Sequence, residues 1–412
     1  MRTDLAVSSM EKRRVIHITP YPPELSGIAD VTRNLIAAGR ERWHCTVLAS
    51  VALEPARVEP DVIRIWHRND LRYPLQIARA LRNLRGEPSS VAHVQHHFLL
   101  YGPVVTAVEF PLLTVAIRLL GYHLVIHLHS VIEPENLGPE LAKLGGRAPR
   151  HLSVAILRAF YGFICAMSAK VIVSVPTMKD TLHRRYKVPH AKIAVIPFGW
   201  DGPGTRTSVS TKDALGFRDK FVIAFHGFLD PTKGLEVLIE AFSLVHGKVP
   251  NATLLVLGAA SPHLGPDHSE YPESLRRLSA QLGVEDKVLF TGRVEEDLLG
   301  MYLRAADMFV LPYTVISSTG ASAVLSRIAA YGRPLIASRI PRFSDELVDG
   351  ETALLVIPGD AARLARAIEN LTTQPDLAER LGRALGEVAT GRTWERAAEL
   401  VDNVYSELEA SQ

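Results

Sequence analysis

Val15-Ile16-His17-Ile18, the loop Pro20 to Gly27 and the helix-patterned stretch Ile28 to Ala38 together decide the fold. A short apolar run enters a Pro- and Gly-containing turn, and the chain leaves that turn with apolar residues at helical spacing. This is one strand–loop–helix unit of a parallel α/β sheet. Further strands are predicted at Cys45 to Leu48, Val62 to Ile65, Val91 to Val94, His123 to Leu128, Val171 to Val175 and Ile193 to Ile196. Asp201-Gly202-Pro203-Gly204 and the Thr- and Ser-rich sequence to Thr211 then read as a linker. Beyond it the rhythm starts afresh, with strands at Phe221 to Phe225, Thr253 to Leu257, Lys287 to Phe290, Met308 to Leu311, Pro334 to Ala337 and Ala353 to Val356. Helices are predicted at Leu235 to Val245, Ala361 to Asn370 and Trp394 to Glu409. Two α/β lobes of nearly equal size leave a cleft between them, walled by strand C-terminal ends and helix N-termini. Phosphorylated ligands bind at such places in open α/β sheets.

Composition bounds the rest. Apolar residues make up 47% of the 412 and charged residues 22%, which excludes a largely disordered chain. Two cysteines, Cys45 and Cys165, cannot build a disulfide framework or a Cys-based zinc cluster, and they fit a reducing, cytoplasmic compartment. Met1 to Arg14 has no apolar core of signal-peptide length. Charged residues and a proline interrupt the apolar stretches Pro103 to His129 and Leu152 to Val175, so neither reads as a membrane span. The net charge of +2 hides an asymmetry: residues 1–200 hold 25 basic against 15 acidic residues, and the remainder is acidic overall. A basic first lobe suits an anionic partner, either a phosphorylated acceptor or the inner face of an anionic membrane touched peripherally; solvated surface charge with no partner is the other reading. Lys143, Arg147, Arg150 and Arg158 run into the apolar Leu152 to Phe163 and mark the expected contact, although a core helix would show the same apolar face. The basic residues are dispersed and not interleaved with aromatics, so no nucleic acid is expected.

Three loops carry candidate chemistry. Gly27 in the first would let backbone approach a ligand beside a helix start. In the second, Ala224 to Gly234, a strand runs through Gly227 to Lys233 at a helix entrance. There a cation opposes the helix dipole, which a bound phosphate explains; an ordinary surface lysine is the alternative. In the third, Ser317 to Ala323, the small residues Thr319, Gly320, Ala321 and Ser322 precede a helix whose first N–H groups a ligand or an ordinary cap can use. His93, His96, His97, His123, His127 and His129 are dense in the first lobe. His129, at a strand end, is the one placed to meet phosphate or sugar hydroxyls; without matching carboxylate or Cys spacing, no metal site is expected.

In this order the motifs resemble the retaining glycosyltransferases of family 4, the glycosyl transferases group 1, from about Val15 to Leu408. The resemblance is carried by Ser26 to Arg33, His93 to Gly102, Ile196 to Asp201, Lys233-Gly234, Leu289 to Val294, Ala306 to Pro312, and Gly332 with Pro334. It implies the GT-B fold, two Rossmann-like α/β domains facing each other across a cleft. Residues 15–204 would be the acceptor domain, 217–390 the nucleotide-sugar domain and 391–412 a helix crossing back, after a flexible 1–14. It also implies transfer of a hexose from a nucleotide-diphosphate sugar to a glycan, lipid-linked or small-molecule acceptor, with neither cofactor nor metal. Gly27 and Gly227 would meet the donor, Lys233 its phosphates, His129 the transferred sugar, and Arg293 and Val294 the base through backbone groups. The sequence departs from the family at Phe228, where arginine is usual, and at Thr319 and Arg327, where a glutamate pair would touch the sugar and the ribose. A non-catalytic GT-B binding protein and a GT-B sugar-nucleotide epimerase are the alternative functions compatible with those departures.

Overall fold

A computed structural model describes residues 12–24, 26–51, 59, 61–84, 90–98, 100–102, 109–137, 149–201, 209–249, 251–260, 270–314 and 319–410. The first lobe runs β1 (Arg13–Thr19), α1 (Gly27–Ala38), β2 (Trp43–Ser50), β3 (Val62–Trp66), α2 (Tyr73–Asn83), β4 (Val91–His96), α3 (Phe110–Leu119), β5 (His123–Leu128), α4 (Arg150–Met167), β6 (Lys170–Val173), α5 (Pro176–Tyr186) and β7 (Ile193–Val195). Its seven strands pair in parallel in the order β3-β2-β1-β4-β5-β6-β7.

The second lobe begins with α6 (Val209–Ala214), β8 (Phe221–His226), α7 (Leu235–Val245), β9 (Ala252–Leu257), α8 (Tyr271–Gln281), β10 (Val288–Gly292), α9 (Glu296–Ala305), β11 (Met308–Leu311) and α10 (Ala323–Ile328). It continues through β12 (Leu335–Ser338), α11 (Pro341–Ser344), β13 (Leu354–Val356), α12 (Ala361–Thr373), α13 (Pro375–Gly391) and α14 (Trp394–Ala410). Its six strands, also parallel, lie in the order β10-β9-β8-β11-β12-β13. All thirteen expected strands form, with ends within two residues of the sequence reading. Of the expected linker, residues 202–208 lie outside the described residues, as do Lys143, Arg147, Ser317 and Ser318.

Helices cover both faces of each sheet, so the strands are apolar runs and not alternating ones. In the first lobe the alternation sorts the two faces. Ile16, Ile18, Val94, Leu124 and Ile126 pack under α2, α3 and α4, whereas Val15, Val91, Val125 and Ile172 meet the last helix, α14. That helix returns from the second lobe and is fixed to the first by Ala397, Ala398, Val401, Val404, Tyr405 and Leu408. Arg13 bridges Asp402 and, at 2.7 Å, Glu409; Lys170 pairs with Glu407 at 2.6 Å. Among the described residues no helix is long and apolar enough to cross a membrane.

Several contacts tie the lobes, among them Thr177 Oγ1, which donates to Asp345 at 2.5 Å, and two more extensive ones. Gly199 lies so close to Trp394 that a Cβ there would stand 2.5 Å from it. Next to it Asp201 accepts from Asn34 Nδ2 at 3.1 Å and from Trp394 Nε1 at 2.6 Å, and its backbone N–H donates to Ser326. The second tie is a two-way backbone bridge between Val131 and Thr319.

Candidate functional site

The C-terminal ends of β4, β5, β8, β9 and β10 open on one interlobe cleft of about 650 Å³. This is where an open parallel sheet leaves backbone groups unpaired by neighbouring strands. The first lobe contributes Gly27 at the start of α1, where Ser26 caps the helix through Ile28 N–H, together with His97 and His129. The second contributes Gly227, Lys233, Gly258, Arg293, Val294, Ala321, Ser322 and Arg327.

Glycines bring the backbones together. Gly227 has φ +139°, and Gly258 has φ +152° with a hypothetical Cβ only 1.9 Å from the Gly227 carbonyl oxygen. Only glycine lets these two strand ends run side by side at the cleft floor. Lys233 ends a short turn capped by Asp230, and Gly234, at φ +67°, lets the chain swing directly into α7. The Lys233 ammonium lies 4.1 Å from the Tyr313 ring centroid and forms no ion pair with a described residue. An aromatic face holds a cation in place without neutralising it.

His129 is buried, its ring stacked on His127 at 4.7 Å, and Nε2 is 2.6 Å from Gln95 Oε1. Burial, with the neighbouring histidines, pushes its pKa well below the ordinary value, so the ring is neutral. As the amide is assigned, Nε2–H donates to Gln95, which leaves Nδ1 as an acceptor. His226, at the end of β8, is pushed down to about 4 by burial and by the charge of Arg327.

Arg327 occupies the position where the family resemblance expects a carboxylate. Its guanidinium is 3.0 Å from Glu296 and 3.5 Å from Asp201. Burial works against its charge, yet Glu296, Asp201 and Asp30 hold its pKa above the ordinary arginine value. The cleft wall here is therefore a compensated cluster, and Glu296 supplies an exposed carboxylate from another helix.

Thr319 sits behind the cleft wall: its hydroxyl donates to the Val131 carbonyl at 3.1 Å and the residue is buried between the lobes. Gly320 sits behind the wall as well, where a Cβ would stand 2.5 Å from the His129 carbonyl oxygen. Ala321 and Ser322 do line the cleft, with the Ser322 hydroxyl accepting from Leu325 N–H to cap α10. Gly258, Asp201, Gln95 and Arg342 were not singled out, although Gly258 directly follows a predicted strand and Gln95 and Asp201 lie within motifs that carry the resemblance. Among the described residues no group of three or more His, Cys, Asp or Glu side chains is arranged to hold a metal ion.

Two facing parallel α/β lobes with glycine-floored strand ends and an unpaired lysine define a two-domain α/β protein of the GT-B type. The family model Glycosyl transferase 4-like domain matches residues 26–199, and Glycosyl transferases group 1 matches residues 210–386. The chain belongs to the group 1 glycosyltransferases. It is 29% identical over 253 residues to the D-inositol 3-phosphate glycosyltransferase of Streptomyces avermitilis, which covers 59% of this chain and 53% of that protein. The protein of the same name from Corynebacterium efficiens is 33% identical over 237 residues, 56% of this chain and 54% of that protein. The chain thus spans about half the length of the curated relatives it matches. Among solved structures, Anabaena HepE in complex with UDP superposes with a TM-score of 0.71 at 16% identity, covering 96% of this chain and 100% of that one. Sucrose-phosphate synthase from Thermosynechococcus elongatus gives 0.73 at 20% identity, covering 97% and 100%. At these identities the superpositions speak for the fold alone.

Proposed function

We propose that the protein transfers a hexose from a nucleotide-diphosphate sugar to a glycan, lipid-linked or small-molecule acceptor with retention of anomeric configuration. The observation that carries this reading is Lys233, a cation on the cleft wall held over Tyr313 with no carboxylate partner among the described residues. A diphosphate between Lys233 and the strand ends at Gly227 and Gly258 would receive charge stabilisation as it departs. In the reaction the anomeric carbon–phosphate oxygen bond breaks and the acceptor oxygen bonds to that carbon on the same face. The acceptor proton passes to the departing phosphate, so no enzymic base is required. Neutral His129, its Nε2 occupied by Gln95, would accept from a sugar hydroxyl through Nδ1. Gly27 would face the diphosphate from α1, and backbone groups of Arg293 and Val294 would hold the base. Arg327 and Glu296 would border the ribose as a pair, in place of the carboxylate the family has on α10.

The names of the relatives guide the choice of substrates. A further structure of the Anabaena neighbour contains UDP-glucose, and the curated relatives are named for D-inositol 3-phosphate. These support a uridine donor as the first to try and an anionic acceptor that fits the basic first lobe.

A thermal-shift series in EDTA, across UDP-, GDP- and ADP-sugars, tests the donor site. One nucleotide class should raise the melting temperature, because a ligand at a hundredfold its Kd adds about 2.7 kcal/mol to stability. No shift with any sugar nucleotide would count against a donor site. A shift that appears only after a divalent ion is restored would refute metal-free binding by Lys233.

A further inference from the structure

We infer that the outer face of the first lobe, formed by α2, α3 and α4, docks on an anionic lipid bilayer. The three helices lie side by side over one face of the sheet. They contain five arginines (Arg79, Arg82, Arg118, Arg150 and Arg158) and no aspartate or glutamate. Arg79, Arg82, Arg118 and Arg158 are exposed and form no ion pair with a described residue. Some exposed arginines elsewhere are paired, as in Arg218–Asp213, Arg339–Asp349 and Arg383–Glu379, while others such as Arg40, Arg277 and Arg366 are scattered singly and pair with no described residue. What sets this face apart is that its unpaired arginines share three adjacent helices with no acid. Of the described acids that flank these helices, Asp70, before α2, is already bound to Arg72.

The same face exposes large apolar side chains. Leu75 on α2 is 72% exposed, Leu112 and Leu119 on α3 are 63% and 80%, and Leu152, Ile156 and Phe163 on α4 are also exposed. On α4 the spacing is informative. Leu157, Tyr161, Ile164 and Cys165 are buried against the sheet, while Leu152, Ile156, Ala159, Phe163 and Ala166 form a second stripe facing water. A helix that only covers a sheet needs one apolar side; this one has two. Protruding Leu, Ile and Phe with unpaired arginines beside them suit the boundary between lipid headgroups and acyl chains. A two-fold contact with a second copy would instead set arginines against arginines. The inference stands apart from the cleft and does not depend on which donor, or whether any, binds there.

Co-sedimentation of the full chain with vesicles tests it, using phosphatidylcholine alone and phosphatidylcholine with about a third phosphatidylglycerol. Binding is expected only to the anionic vesicles and should weaken at least tenfold as salt rises through the range where the Debye length falls below about 8 Å. Arg118→Glu/Arg158→Glu and, separately, Leu119→Glu should each reduce binding about tenfold or more. Both sites are exposed, so unchanged melting temperatures and donor-induced thermal shifts are expected. Absence of binding to anionic vesicles at low salt, equal binding to neutral ones, or full binding by both variants would overturn the inference. So would a dimer in solution that either variant dissociates, because that would assign the face to a second copy.

Discussion

Lys233→Ala is expected to lower kcat/KM by about 10²–10³-fold, the scale for removing one well-placed electrostatic group from a site where charge develops. The lysine stands at the junction of a capped turn and α7, half-buried and over the Tyr313 ring, and it supports no ion pair with a described residue. Its removal costs the fold little beyond a cation–π contact of about 1 kcal/mol. Activity and stability should therefore separate: the variant melts close to the parent while turnover collapses. If the charge acts on the leaving diphosphate, the loss falls on kcat more than on KM for the donor. Lys233→Arg should recover part of it, because the charge returns with a bulkier head. A folded Lys233→Ala variant with parental turnover would remove the lysine from the chemistry.

Acid should unfold the first lobe well above the pH at which its carboxylates titrate. His17 on β1, His93 on β4 and His127 on β5 lie ring beside ring across the sheet, 5.1 and 5.6 Å apart, and His127 stacks on His129 at 4.7 Å. Both ring nitrogens of His17 and His127 are buried without a hydrogen-bond partner, as are His93 Nε2 and His96 Nδ1. Burial pushes His17, His96 and His127 each down to about 3, and His93 and His129 lower than the ordinary histidine value by a wide margin. The sign follows from which state binds the proton. Unfolded imidazoles take it up near pH 6.5 and the folded ones do not, so the stability is whole above pH 6.5. It is then lost as pH falls toward 3. Each such group costs about 1.4 kcal/mol per pH unit in that window, so three together cost about 4 kcal/mol per unit. Chemical denaturation from pH 7 to pH 4 should show this slope, and His17→Leu/His127→Leu should flatten it. A flat wild-type profile over that range would show that the buried rings accept protons without disturbing the lobe. Because His93 Nδ1 meets the Tyr405 hydroxyl at 2.5 Å, the loss should register early at α14.

Much of the architecture could be read from residues because its physics is local. Met308–Leu311 is a continuous apolar run closed by Pro312, His123–Leu128 is a mostly apolar one, and both strands form at the residues expected. The helix Leu235–Val245 likewise starts and stops where its apolar spacing does. The cleft was legible in outline, since Gly27, Gly227, Lys233 and Arg293 all sit in loops at strand ends. What escaped were facts of direction and approach. Counting along the chain located Thr319, but not that its hydroxyl turns toward Val131, because that depends on a bridge between residues 188 apart. Gly258 matters only through its approach to Gly227, far earlier in the chain. Asp201 reads as the first residue of a linker, yet the returning Trp394 makes it the fastening between lobes. The histidines between His93 and His129 were visible as a cluster. Their ring contacts became visible only with strand register, which sets His17 opposite His93.

Release of nucleoside diphosphate from a panel of UDP-, GDP- and ADP-sugars, followed by proton NMR of the freed or transferred sugar, tests the central claim most directly. The account predicts that one nucleotide class is turned over in EDTA, that Lys233→Ala abolishes nearly all of this release, and that the sugar first appears with the donor's own anomeric configuration. No nucleoside diphosphate from any donor, with or without added acceptor, would contradict the assignment of the cleft to glycosyl transfer; the opposite anomer would contradict same-face attack.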